Sequence, residues 1–161
     1  MKSMHVRAAG LVALTVVLAL AACSDDSNPF QVIEETEFAA SLGVDLAQME
    51  RLPSGVYVQD VALGEGAELV YDATFTMTYT GWLSDGTQFD TGTFTTTLEE
   101  NPAPGEGLIS GFTQGILGMQ PGGTRLLVIP PEEGYGDRQF GAIPPGSILV
   151  FRVTLDELTV P

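Results

Sequence analysis

"ATFTMTYTGWLSDGTQFD", residues 73–90, decides the fold class. Phe75, Met77 and Tyr79 alternate with Thr74, Thr76, Thr78 and Thr80, a period of two that sets the apolar residues on one face of a strand and the threonines on the other. Threonine, β-branched, favours that extended backbone. Asp85-Gly86 supplies turn chemistry, so the stretch predicts a hairpin. A hairpin has no need of Tyr79, Phe89 or Asp90 in particular, and those three call for another explanation.

Outward from this stretch, the alternation returns in "TFTTTL" at 93–98, "TRLLVIP" at 124–130 and "SILVFRVTLDEL" at 147–158, with Val56 to Leu63 as a further strand. One amphipathic helix is predicted, "LISGFTQGILGM" at 108–119, where Leu108, Phe112 and Ile116 recur at i, i+4 and i+8 and Ile109 and Met119 widen the stripe. Gly111 and Gly115 each weaken such a helix by about 1 kcal/mol relative to alanine, so packing against a sheet must hold it. Gly118 and then Pro121-Gly122-Gly123 end it and return the chain to a strand. Several antiparallel strands with one helix on the concave side make an α+β arrangement.

The N-terminus follows other rules. Lys2 and Arg7 precede an apolar run from Ala8 to Ala22, a basic head and apolar stretch of the kind that directs export. At about fifteen residues the run falls short of the roughly 20 that a membrane-spanning helix needs. Its ending, Leu20-Ala21-Ala22-Cys23, resembles the lipobox of bacterial lipoproteins, in which the cysteine is lipidated and becomes the new N-terminus. Cys23 is the only cysteine and has no internal disulfide partner. The expected organisation is a removed signal peptide at 1–22, a lipidated Cys23 with a tether and a weak helical segment through 54, and a folded domain at 55–161. The helical expectation rests on Ile33, Phe38, Leu42, Leu46 and Met49, which fall near helical spacing although Gly43 and Asp45 interrupt it. Such a protein sits in the bacterial cell envelope, anchored to a membrane through lipid on Cys23.

Charge narrows the chemistry further. The formal net charge is −15, and loss of residues 1–22 takes away Lys2, His5 and Arg7, leaving four arginines against 21 acidic side chains. Nucleic acid is excluded as a partner, because phosphate contact needs clustered cations. Histidine-based acid-base work and triads are excluded with the only imidazole. The acidic pairs Asp25-Asp26, Glu99-Glu100 and Glu132-Glu133 are not spaced as a calcium loop. "GEGAEL" at 64–69 lacks the third glycine of a dinucleotide fingerprint. No metal and no cofactor are expected.

The order of "TYTGWLSDGTQFD", "GLISGFTQGILGMQPGGTRLLVIPPEEGYG" and "GAIPPGSILVFRVTLDEL" resembles the FKBP-type peptidyl-prolyl cis-trans isomerases across residues 55–161. The resemblance implies a five- or six-stranded antiparallel sheet curled around one short helix, with a shallow apolar pocket between them. It places the catalytic residues at Tyr79, Asp90, Tyr135 and Phe151, and substrate-binding residues at Phe89, Phe94, Leu108, Ile109, Phe112 and Ile143. Tyr135 in "EGYG" matches the tyrosine whose hydroxyl meets the ligand's backbone carbonyl, and Phe112 stands where many members have a pocket-floor tryptophan. Asp90 is left with two readings, contact with the carbonyl region or pinning of Tyr79.

The partners implied are proline-containing unfolded or exported polypeptides, and macrolide inhibitors. The departures are a loop after Asp90 shortened to Thr91-Gly92-Thr93 without the arginine that often pairs with the carboxylate, small residues at Gly134 and Ala142, and "DRQF" at 137–140. They point to an altered sequence preference. Two activities remain open on these residues, isomerisation of X-Pro bonds in exported chains and a peptide-binding or chaperone lipoprotein with little turnover.

Overall fold

The structure, a computed structural model, describes residues 30–100, 102–103 and 107–161. The expected signal segment 1–22, Cys23 and residues 24–29 of the tether lie outside the described residues. Among the described residues six strands form one antiparallel sheet: β1 (Glu50–Arg51), β2 (Tyr57–Ala62), β3 (Thr74–Leu83), β4 (Gln88–Thr97), β5 (Thr124–Ile129) and β6 (Leu149–Thr159), in the order β1-β2-β5-β6-β3-β4. Among the described residues the one α-helix, α1 (Ser110–Ile116), lies against β5.

The hairpin of the opening stretch forms β3 and β4. Gly86 takes the left-handed conformation at φ 88, and the Thr87 amide donates to Asp85 Oδ1 at 2.8 Å, closing the turn. Thr91-Gly92-Thr93, expected as a shortened loop, instead continues β4 without a break, opposite Thr80, Tyr79 and Thr78. Four facing threonine pairs explain it: hydroxyl-to-hydroxyl bonds join Thr74 to Thr97, Thr76 to Thr95, Thr78 to Thr93 and Thr80 to Thr91 at 2.8–3.0 Å. Cross-strand contacts of this kind stabilise a sheet by a few tenths of a kcal/mol to about 1 kcal/mol each.

The central strands differ from the expected alternation. In β5, Leu126, Leu127, Val128 and Ile129 are all buried, as are Leu149, Val150 and Phe151 in β6. Both faces of the sheet are covered there. Leu127, Ile129, Leu149, Phe151, Val153 and Leu155 join the core under α1, together with Phe75 and Met77. Leu126, Val128, Ile148 and Val150 meet Ile33, Leu42, Met49 and Tyr57 on the opposite face, and Trp82 packs there too.

That second layer comes from residues 32–50, and it is not the α-helix that the spacing suggested. It is three single turns of 3₁₀ helix, Ile33–Glu35, Ala40–Leu42 and Leu46–Gln48. Gly43 ends the second turn in a left-handed conformation, φ 70, and Asp45 caps the third by accepting from the Ala47 amide at 3.1 Å. Residues that interrupt a helix thus fold the segment flat onto the sheet. Burying each aliphatic side chain this way contributes about 1.5–3 kcal/mol.

The helix is shorter than its periodic stretch, because Ile109 is extended and Gly118, at φ 76, turns the chain away. Its glycines mark close approach. A Cβ on Gly111 would overlap Ile129 Cγ2, and one on Gly115 would lie 2.9 Å from Leu127 Cδ2. The low helix propensity is the condition for seating α1 directly on β5.

Candidate active site

Between α1, the β3–β4 hairpin and the loop after β5 lies a cavity of about 910 Å³. Tyr79, Phe89, Asp90, Phe94, Leu108, Ile109, Phe112, Tyr135 and Phe151 line it. Of the ten positions implied by resemblance, nine share this space. Ile143 does not line it: it is 3% exposed, part of the core, and joined to Phe140 by a short β-bridge.

The floor is an edge-to-face stack. Phe112 on α1 and Phe151 on β6 meet at 5.2 Å between ring centroids and 90° between planes, and Phe89 meets Phe151 at 5.5 Å and 86°. Tyr79 meets Phe94 at 5.6 Å and 70°. Such pairs set the positive edge of one ring on the negative face of the next and hold each ring in one orientation.

Phe89 and Asp90 are neighbours in sequence and should point to opposite faces of a regular strand. Both reach the cavity because the β3–β4 register slips: Gly81 pairs with Asp90, but Trp82 pairs with Gln88. Phe89 is the extra residue of a β-bulge, a device that re-aims a side chain. Gly81 makes room for it, since a Cβ there would lie 2.7 Å from both Phe151 Cε1 and Phe89 Cζ.

Asp90 is committed to the hairpin. Its Oδ2 accepts from the Tyr79 hydroxyl at 2.6 Å and its Oδ1 from the Thr91 amide at 2.9 Å. Of the two readings of Asp90, this geometry matches pinning of Tyr79. The Tyr79 phenol is pushed up to about 12 by that hydrogen bond, then by burial and by the charges of Asp90 and Tyr135. Tyr135 is raised as well, by burial first and the Asp90 charge second. Both phenols therefore keep their protons at neutral pH. Among the described residues the Tyr135 hydroxyl has no hydrogen-bond partner, so it is free to donate into the cavity.

The Tyr79 bond has a pH signature. A phenol whose folded value exceeds its unfolded value of 10.0 adds stability that is complete below pH 10 and is lost as pH rises toward 12. Ultraviolet titration of phenolate should find one tyrosine ionising near 12, and Asp90→Asn should bring it down. An unchanged titration in that variant contradicts the assignment.

Tyr135 is held by its neighbours. The Gly136 amide donates to the Pro131 carbonyl at 2.8 Å, while Glu133 accepts from Ser110 Oγ at 2.5 Å and from Gln114 Nε2 at 3.1 Å, tying the loop to α1. Phe140 was missed by the sequence reading. It is 57% exposed, lies in the lining, and stacks on Tyr135 at 4.3 Å with 7° between planes. Its one signal was the "DRQF" departure. Glu132, Asp137, Arg138 and Gln139 complete the rim.

A profile of the FKBP-type peptidyl-prolyl cis-trans isomerases matches residues 66–156. The chain belongs to this family. An FK506-binding protein of Neisseria meningitidis serogroup B is 41% identical over 107 residues, spanning 63% of this chain and 94% of that one. Among solved structures, FkpA of Escherichia coli aligns at a TM-score of 0.62 and 32% identity, covering 70% of this chain and 52% of FkpA. A peptidyl-prolyl cis-trans isomerase of Pseudomonas syringae aligns at 0.62 and 26% identity, covering 75% and 87%. The FKBP-type chain is thus a peptidyl-prolyl cis-trans isomerase acting on proline-containing polypeptides, and its six-stranded antiparallel sheet is the family's architecture.

Proposed function

We propose that the aromatic cavity is where the isomerase lowers the X-Pro barrier, without a covalent intermediate, on polypeptides that have been exported across a membrane. The observation that carries the reading is the convergence of Tyr79, Phe89, Phe112, Tyr135 and Phe151, from four separate parts of the chain, on one space.

Rotation about an amide bond faces about 18–20 kcal/mol because resonance is lost as the bond twists. Uncatalysed X-Pro exchange takes about 10–100 s at room temperature. A thousandfold acceleration asks for only about 4 kcal/mol. The twisted amide carries less charge separation than the planar one, so a water-poor aromatic wall disfavours the planar form more. The prolyl ring sits on Phe112 and Phe151, and the Tyr135 hydroxyl holds a flanking carbonyl. Asp90 acts through Tyr79, keeping that ring in the wall. Macrolides of the FK506 type compete for the same space, with weaker hold where Phe112 offers no indole N–H.

Export and anchoring are part of the proposal. Leu20-Ala21-Ala22-Cys23 at the end of an apolar run supports lipidation of Cys23, and acyl chains contribute about 0.8 kcal/mol per buried CH₂. Among the described residues no helix is long and apolar enough to cross a membrane. The test of the site is peptide isomerisation followed optically, in wild type and in Tyr135→Phe, which should lose about tenfold in rate. Full activity in that variant removes Tyr135 from the mechanism. For the anchor, Cys23→Ser should leave an unprocessed, unlipidated precursor, and normal processing of the variant would refute lipidation.

A further inference from the structure

We propose that this cavity selects client chains with a lysine or arginine beside the proline, the cation seating between the carboxylates of Glu132 and Asp137 and the exposed face of Phe140. The inference rests on the cavity being the prolyl site and names the substrate class it prefers.

The rim carries three carboxylates, Asp90, Glu132 and Asp137, against one guanidinium, Arg138. Asp90 is occupied by Tyr79 and the Thr91 amide. The side chains of Glu132 and Asp137 have no hydrogen bond or ion pair among the described residues, whose two ion pairs are Arg51–Glu34 and Arg125–Asp60. Both acids are exposed, so their charge is available to a ligand without being stripped of water. Tyr135 lies between them in sequence and stacks on Phe140, three residues past Asp137 in the same cavity lining, and Phe140, 57% exposed, offers an aromatic face to a cation.

The wider field acts in the same direction. A net charge of −15 attracts cationic segments and raises their encounter rate, and it repels acidic ones. Asp90, hydrogen-bonded to Tyr79 in the wall, adds its carboxylate to the same lining. An exposed carboxylate pair, a cation over a ring and a favourable field together should amount to about tenfold between a cationic and an anionic neighbour of the proline.

The experiment uses the intact protein and three peptides identical except for lysine, leucine or glutamate before proline, at low ionic strength. The expected kcat/KM for the lysine peptide exceeds that for the glutamate peptide by about tenfold, narrowing to about twofold in ~0.5 M salt. Glu132→Gln with Asp137→Asn should bring the ratio below about threefold, whereas Glu35→Gln with Glu37→Gln, an equal charge change on the far layer, should leave it. Equal turnover of the three peptides, or a control pair that shifts the ratio as much as the rim pair, overturns the proposal. Dissociation constants for the same peptides read the preference independently of turnover. If Tyr135→Phe and Phe151→Ala leave rates intact, the prolyl-site reading fails, while the binding ratio still decides the charge claim.

Discussion

Phe151→Ala is expected to lower kcat/KM by about 100-fold, equivalent to about 2.7 kcal/mol of lost transition-state stabilisation. Phe151 is 5% exposed on the central strand β6 and touches the rings of Phe112, Phe89 and Tyr79. Its removal opens the floor to water and frees three rings at once. The same change costs about 3 kcal/mol of stability, because the side chain leaves a cavity among residues that relax only partly. Phe151→Leu separates the two effects: it keeps most of the volume, so stability should nearly return while the rate stays low. Urea unfolding together with the optical isomerisation assay measures both. Wild-type rates in Phe151→Ala would show that the ring is packing only.

Gly111→Ala is expected to destabilise by about 2 kcal/mol, the opposite sign to helix propensity, which favours alanine by about 1 kcal/mol. The added Cβ overlaps Ile129 Cγ2 and lies 3.0 Å from the Glu133 carbonyl oxygen, a backbone atom that cannot rotate away. The helix must retreat from β5. Phe112, the next residue, moves with it, and so does the Glu133 contact that ties the Tyr135 loop to α1. A loss of activity should accompany the loss of stability. If urea unfolding shows the variant to be more stable than wild type, α1 is not seated on β5 as closely as described.

These two residues also show where sequence reading succeeds and where it stops. Gly111 was recognised as a helix defect needing compensation by packing, and Ile129 is the atom-level reason. Phe151 was placed in a strand by period two and in a pocket by resemblance, and both placements agree with its position on β6 lining the cavity. The 32–50 segment is helical only in single 3₁₀ turns and not as the α-helix its spacing suggests. Gly43 and Asp45 are legible as interruptions, but spacing does not say that the pieces between them lie as turns across a sheet. Covering that face is what turns β5 into a run of four buried residues. Ile143 lies in the core and not in the cavity lining, a placement set by long-range packing that the sequence does not show.

Local sequence by itself marked most of the elements: alternating threonines make a strand, Asp85-Gly86 makes a turn, and the stripe through Leu108, Phe112 and Ile116 marks the one α-helix, because each depends on the geometry of a few adjacent residues. The acidity that bears on the choice of partner was equally legible, charge being a sum over side chains. Tertiary structure alone decided that Phe89 and Asp90 share a face, that Asp90 spends its oxygens on Tyr79 and a backbone amide, and that Phe140 stacks on Tyr135. Those outcomes turn on a one-residue register slip and on contacts between distant segments, and the free energies separating the alternatives arise only when the strands and loops are packed together.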